Sequence, residues 1–476
     1  MKLYSKNKDY KLYQGSMLDM LEVIEPNTID SVICDPPYEL NFMAKSWDNS
    51  GIAFQPDTWK KCYEVLKPGG YLLAFGGSRT FHRIACAIED AGFEIRDTIM
   101  WLYGSGFPKS MALDKGIEAK LTTGSANTRE FRKLNGEQIE RGNYGYASVA
   151  ERQGARPSDY NLIDDTRLGT LKATTDLAKK YSGWGSALKP SFEPIIVARK
   201  PFKGSLVDNV IEYGVGGINI DECRVPFIND KDNTLRPTEN KQYFGLSSNI
   251  NMIGGEKDKG RFPANTILTY DETDFDEVCG GFPNTKSGNI SKEYKQDTRF
   301  NIAQSGKGGN LDYSNCYGDS GSASRYFYAA KASKKDRDEG LDEFELKGAK
   351  ELLNREENSD GASWNGKYSS GNAYAGAGCP KKNTHPTVKP TELMQYLVRL
   401  VSPDGATILD PFNGSGSTGK AVMYENKERN KNYKYIGMEL TEEYLPIAKA
   451  RIEYVCNLKE DEIKEMQMSI FDYIGE

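Results

Sequence analysis

Two short loops hold the side chains with the most chemical use. The first is Asp35-Pro36-Pro37-Tyr38, which follows the apolar run Ser31-Val32-Ile33-Cys34. A run of that kind, broken by prolines, reads as a buried strand leading into a loop. The prolines stiffen the backbone and remove amide donors. A carboxylate, carbonyl oxygens and an aromatic ring are left beyond the strand end, an acceptor-rich and stackable site. The second loop runs from Asp410 to Gly419 and follows the strand-like Thr407-Ile408-Leu409. Its glycines let the backbone turn sharply and approach a ligand, and the helix it opens offers N–H groups to an anion. Glu439 ends the next strand, Tyr435 to Glu439, where a carboxylate accepts bonds from ribose hydroxyls. The spacing is neither the dinucleotide GxGxxG nor a phosphate-cradling P-loop. Each loop also has a plainer reading, a strand-to-helix turn or a chance short match that binds nothing.

The elements around these loops alternate. Trp59 to Leu66 has helical spacing and stops at Lys67-Pro68-Gly69-Gly70. Tyr71 to Phe75 is a buried strand closed by Gly76-Gly77, Phe81 to Ala91 a helix, and Ile95 to Tyr103 a further strand. Such alternation predicts a parallel sheet covered on both faces. Ser110 to Gly183 is polar and reads as an insertion, with a helical piece at Thr174 to Tyr181. Phe192 to Ala198 reads as a strand returning to the sheet. From Lys203 to Lys382 the chain is irregular, with short apolar segments between Gly/Ser/Asn-rich stretches. Regular signals resume near His385, with a helix from Thr391 to Val401. The α/β layer is therefore split by a long stretch of different texture. No internal repeat of fixed period is present.

Composition narrows the classes. A chain of 476 residues exceeds one comfortable core, so two or more folded units are expected. A formal net charge of −6 weighs against a protein that coats nucleic acid through bulk charge. Local basic clusters remain, at Lys331, Lys334, Lys335 and Arg337 and at Lys381, Lys382 and Lys389, and each also reads as a solvated face. The eight cysteines form no CxxC pair, and His82 and His385 are the only histidines, so a His-based metal site is nearly excluded. No apolar run approaches the roughly 20 residues that span a membrane. The first residues lack the apolar stretch of a signal peptide. These features predict reduced thiols and a cytoplasmic, nucleoid-associated protein.

The order of the motifs carries a resemblance. The chain resembles the β-class amino-methyltransferases of DNA, in which a [DNS]PP[YFW] loop comes early and an FxGxG loop late, with a target-recognition region between. Here Asp35 to Tyr38 supplies the first loop and Phe412-Asn413-Gly414-Ser415-Gly416 the second. His385-Pro386-Thr387-Val388-Lys389-Pro390 is similar to the family's HPTxKP segment, and Lys67 to Gly70 to its KPGG turn. The segments from Gly183 and from Ser322 resemble those of phage and mobile-element members.

The resemblance implies a class I S-adenosylmethionine (SAM)-dependent methyltransferase fold, a mostly parallel, doubly wound mixed α/β sheet with an inserted irregular target-recognition region. It implies a catalytic half at 1–110, an insertion at 111–182, a return strand at 183–203, a target-recognition region at 204–382, a SAM-binding half at 383–456 and a tail at 457–476. SAM is expected on Asp410, Phe412, Gly414, Ser415, Gly416 and Glu439, with His385 and Lys389 at its methionine end. Ser16 stands where members often have the Asp of a Gly-Asp pair that contacts the adenine of SAM. Lys331, Lys334, Lys335 and Arg337 are expected on duplex DNA.

The implied chemistry is methylation of an exocyclic amino group, foremost adenine N6. The base is flipped out of the duplex at a cost of a few kcal/mol. Tyr38 stacks on it. The Asp35 carboxylate and the Pro36 carbonyl accept hydrogen bonds from the amino group and free its lone pair for in-line attack, while Pro37 stiffens the loop. Cytosine N4 is the alternative, although N4 enzymes more often carry Ser at the first loop position. Cytosine-C5 chemistry needs a thiolate, commonly in a Pro-Cys pair, and the chain has none. A non-catalytic DNA-binding module and a nicotinamide enzyme are further readings, disfavoured by the intact motifs and by the absence of GxGxxG. Near the end, Gln467-Met468-Ser469-Ile470-Phe471 resembles the motif with which bacterial proteins dock on the replication sliding clamp, and equally reads as a terminal cap. The oligomeric state is left open.

Overall fold

Residues Ile29–Cys34 are buried at every position, as a strand with both faces covered must be. The computed structural model describes residues 1–40, 48, 50–103, 110–126, 173–226, 260–270, 284–286, 320–322, 327–331, 334–346 and 382–463. In chain order these form β1 (Lys2–Lys6), β2 (Tyr10–Gln14), β3 (Ile29–Cys34), α1 (Pro56–Val65), β4 (Leu66–Phe75), α2 (Phe81–Asp90) and β5 (Glu94–Tyr103). Then come α3 (Leu113–Thr123), α4 (Asp176–Lys180), β6 (Phe192–Arg199), α5 (Leu206–Tyr213), β7 (Thr266–Tyr270), β8 (Asn284–Lys286), β9 (Ser320–Ser322), β10 (Tyr328–Lys331) and α6 (Lys334–Asp338). The last group is α7 (Thr391–Val401), β11 (Thr407–Asp410), α8 (Ser417–Glu428), β12 (Lys434–Glu439) and α9 (Leu445–Asn457).

Among the described residues a ten-stranded sheet has the order β1-β2-β12-β11-β3-β4-β6-β5-β7-β10. It is parallel except where β1 pairs with β2 and where β6 lies between β4 and β5. The halves of the α/β layer, separated in sequence, meet at β11 and β3, where Ile408 pairs with Ser31 and Leu409 with Val32. Asp30 reinforces the seam: its carboxylate accepts from Lys67 at 2.6 Å and from the Thr407 amide at 2.7 Å.

Alternation along the strands sends side chains to two cores. Ile33, Leu73, Phe75 and Trp101 pack on one face with residues of α7, α8 and α9. Val32, Cys34, Leu72 and Ala74 pack on the other with residues of α1 and α2. The sheet is thus doubly wound and mixed. Cys34 is fully buried, and burial pushes its thiol well above the usual range, so it serves as a packing residue.

Two differences from the sequence reading stand out. The strand expected from Tyr71 begins at Leu66, because Lys67–Gly70 bulges within it rather than turning out of it, with Gly69 at φ 83°. The stretch read as irregular also contributes β7 and β10, both parallel, to the same sheet. They are only five and four residues long, too short to show a period.

Residues 106–190 form a compact unit of their own. In it α3 and α4 are clasped by Glu118, whose carboxylate accepts from the amides and hydroxyls of Thr174 and Thr175. Those bonds, the Thr174 hydroxyl first, hold Glu118 down at about 2. Among the described residues no helix is long and apolar enough to cross a membrane, and no group of side chains could hold a metal ion.

Candidate active site

Three neighbouring parallel strands end in carboxylates. Asp35 directly follows β3, Asp410 closes β11 and Glu439 closes β12, and the pairing of Leu409 with Val32 and of Asp410 with Gly437 sets these ends side by side. Carboxyl ends of parallel strands are where open α/β sheets bind ligands.

Much of the Gly-rich loop is held by its own chain. Asp410 accepts from the Phe412 amide at 3.0 Å and from the Thr418 hydroxyl at 2.6 Å. Burial raises its carboxyl to about 7, Asp35 and Glu439 adding to the effect against those two bonds. Glu439 accepts from the Gly414 amide at 2.8 Å and from the Thr441 amide at 2.7 Å, and burial raises its pKa as well. The Asn413 and Gly416 amides bond to the carbonyls of Met438 and Asn413. The amides of 412, 413, 414 and 416 are thus engaged within the chain. Phe412 packs beside Trp59, ring centroids 6.2 Å apart.

Two cofactor candidates face inward instead. Ser415 is 3% exposed, and its carbonyl and hydroxyl accept from Arg451 at 2.8 and 3.1 Å. Gly416 caps α8 at φ 75°, and a Cβ there would meet Ala448 of α9. Gly414, at φ 51°, lies against His385, whose Nε2 would stand 3.0 Å from an added Cβ. His385 Nδ1 meets the Thr387 carbonyl and so carries the hydrogen, while burial lowers the ring to about 4. Ser16 follows β2, next to Gly15, whose amide bonds to the Glu439 carbonyl, and it caps the short helix Met17–Glu22.

The other loop is built around Lys389. Its ammonium lies 2.6 Å from Asp35 Oδ2 and 3.4 Å from Glu193 Oε2. It also faces the rings of Phe75, Tyr38 and Trp101, at 4.9, 5.3 and 6.0 Å from their centroids. Burial alone would lower its pKa, but the two carboxylates outweigh it and leave it raised. Asp35 Oδ1 is buried and accepts no hydrogen bond from the described residues. Pro36 is buried and Pro37 half-buried. The Tyr38 hydroxyl donates to Glu193 Oε2 at 2.6 Å, and Gly77 leaves room for its ring, 3.2 Å from where a Cβ would stand.

The basic cluster divides. Lys331 lies in β10, and Lys334 and Lys335 open α6. Arg337 is half-buried, and its guanidinium donates to the His385 carbonyl at 2.6 Å. Asp336 beside it is bound to buried Lys420 at 2.6 Å and to Thr391 at 2.5 Å, so α6 is bolted to α7 and α8.

A family described as DNA methylase matches residues 29–450, from the first residue of β3 into α9. The chain belongs to the DNA methylase family. The type II methyltransferase M2.DpnII of Streptococcus pneumoniae is 38% identical over 237 residues, 45% of this chain and 81% of that protein. M.HpaI of Haemophilus parainfluenzae is 29% identical over 157 residues, 32% of this chain. The chain spans about half the length of M.HpaI, 49%. The DNA adenine methyltransferase YhdJ of Escherichia coli is 29% identical over 83 residues, 17% of this chain and 26% of that protein. Among the described residues the sheet of this DNA methylase is mostly parallel, and antiparallel where β1 meets β2 and where β6 lies between β4 and β5.

Sequence reading assigned Lys389 to the cofactor and missed Glu193. In this DNA methylase Lys389 pairs with Asp35, and Glu193 meets Lys389 and Tyr38. The one available signal was an acidic residue at the head of the apolar strand Phe192–Arg199.

Proposed function

We propose that this DNA methylase transfers a methyl group from SAM to N6 of adenine in duplex DNA, at specific sites. The observation that carries the reading is the buried, unbonded Oδ1 of Asp35 at a strand end beside the Gly-rich loop. It is an acceptor available to an amino group.

The residues fit SAM. Asp35 and Glu439, at the ends of strands on either side of β11, suit a cationic ligand. SAM, when bound, supplies an electrophilic methyl group on a cationic sulfur. Gly414, His385 and Glu439 would hold it, with Ser16 and Phe412 beside them. Asp35 and the Pro36 carbonyl accept from the target amino group and stabilise the positive charge it gains. Tyr38, its hydroxyl fixed on Glu193, offers its ring for stacking. Asp at the first loop position and the likeness to a protein named an adenine methyltransferase support adenine over cytosine. Residues 204–382 are proposed to choose the site, Lys331, Lys334 and Lys335 to meet phosphates, and the nucleoid to be the place of action.

Purified protein, tritiated SAM and unmethylated duplex DNA of mixed sequence test the reading, with the DNA digested to nucleosides. Label in N6-methyladenine is expected. Label in N4-methylcytosine overturns the choice of base, and unlabelled DNA overturns the whole. The segment Gln467 to Phe471 lies outside the described residues. Its docking on the sliding clamp is proposed on sequence alone, and a peptide spanning 465–473 that fails to bind the host clamp ends that proposal.

A further inference from the structure

Lys389 has more partners than a cofactor contact requires. Between Asp35 Oδ2 at 2.6 Å and Glu193 Oε2 at 3.4 Å, its ammonium has a near acceptor and a far one. Glu193 also accepts from the Tyr38 hydroxyl at 2.6 Å and, on its other oxygen, from the Tyr103 hydroxyl at 3.4 Å. One carboxylate at the start of β6 thus touches the lysine that pairs with Asp35 and the ring of the same loop.

The chemistry at Asp35 makes conflicting demands. The Lys389 ammonium, 2.6 Å away, balances the Asp35 charge. That same cation, on the Oδ2 next to the free Oδ1, opposes the positive charge that develops on an amino nitrogen under attack. A second carboxylate within reach of the ammonium resolves the conflict, because the cation can leave Asp35 without becoming unpaired in a buried site.

We propose that Glu193 is a positioning residue: Lys389 pairs with Asp35 Oδ2 and shifts onto Glu193 when the target amino group reaches Oδ1, while Glu193 fixes Tyr38 for stacking. No proton changes owner in this shift. Phe75, Tyr38 and Trp101 flank the ammonium, and their faces favour a cation at either end of its travel.

The inference rests on the amino-methyltransferase reading, so wild-type transfer of label from tritiated SAM to DNA is measured first. The full-length protein is then compared with Glu193→Gln, Lys389→Met and the double variant. Gln keeps an acceptor for Tyr38 and removes the charge. Glu193→Gln is expected to lower kcat on the order of 10²-fold with KM for DNA little changed. Because it acts through Lys389, it should add almost nothing in the Lys389→Met background. A normal kcat in Glu193→Gln, a loss expressed in KM alone, or losses that multiply in the double variant would overturn the assignment. Unlabelled DNA from the wild type would instead overturn the parent reading, and the inference with it. Should Glu193→Gln melt below the assay temperature, Glu193→Asp takes its place. Its shorter arm should lower kcat on the order of 10-fold at unchanged KM, and an unchanged kcat would overturn the assignment.

Discussion

A Cβ added to Gly416 would stand 3.0 Å from both Cα and Cβ of Ala448, across the packing of α8 on α9. Backbone on the facing helix cannot give way as a flexible side chain can. Overpacking of this kind costs about 1–3 kcal/mol. The left-handed conformation at φ 75° adds about 1–2 kcal/mol for a residue with a Cβ. Gly416→Val is therefore expected to lower the thermal midpoint. Gly414→Ala presses instead on the ring edge of His385, beside the proposed cofactor, and should weaken SAM binding more than it weakens the fold. Thermal melts and titration calorimetry on both variants check the contrast. Gly416→Val with an unchanged midpoint would refute it.

Asp35→Ala should lower methyl transfer on the order of 10²–10³-fold, the usual loss when one preorganised electrostatic contact is removed. SAM affinity should hardly change, since Gly414, His385 and Glu439 stay in place. Lys389 then keeps only Glu193, at 3.4 Å, as a counter-ion, and breaking a buried pair costs up to about 3–5 kcal/mol. A lower melting temperature should therefore accompany the catalytic loss. Near-normal turnover in this variant would contradict the role given to Asp35.

What could be read from the sequence follows the length and regularity of its signals. Tyr71 to Phe75 and Ser31 to Cys34 are short, largely apolar runs, and the strands Leu66–Phe75 and Ile29–Cys34 contain them. The neighbourhood of β11 and β3 was implied by motif order, because both loops had to reach one crevice. Lys389 and Glu193 were not legible as a pair. They lie 196 residues apart, and only the antiparallel insertion of β6 beside β4 brings Glu193 to Tyr38. Ser415 and Gly416 matched a motif whose glycines and serine are equally explained by Arg451 and Ala448, and no spacing rule separates those reasons. Tyr328 to Lys331 was too short to declare itself, yet Tyr328 stacks on Tyr396 at 4.1 Å and belongs to the core.

Asp410 predicts a pH dependence of stability. Unfolded, its carboxyl ionises near 3.8; folded, burial makes it hold the proton until about 7. The folded state binds the extra proton, so its stabilising contribution is present in acid and is lost as the pH climbs through about 7. Asp410→Asn removes the titration while keeping an acceptor for the Phe412 amide. Denaturant midpoints at about pH 5 and about pH 8 should fall further in the wild type than in the variant. Parallel pH profiles would mean that Asp410 is ionised throughout.

The basic cluster offers a test that separates a scaffold arginine from phosphate contacts. Arg337 donates to the His385 carbonyl at 2.6 Å, and His385 in turn lies against Gly414. Truncating Arg337 frees the segment that carries His385, so Arg337→Ala should lower the melting temperature and weaken SAM binding. It should leave the salt dependence of DNA binding as it was. Lys334 and Lys335, at the start of the same helix, are proposed to meet phosphates. Each phosphate contact releases condensed counterions, and log K against log salt changes by about 0.9 for each one lost. Lys334→Ala and Lys335→Ala should therefore flatten that plot by roughly one contact apiece, with melting temperature and SAM affinity preserved. Binding isotherms across a salt series decide the matter. If Arg337→Ala flattens the slope as the lysine variants do, the guanidinium leaves His385 to meet DNA. If neither lysine changes it, the DNA tracks another face of the enzyme.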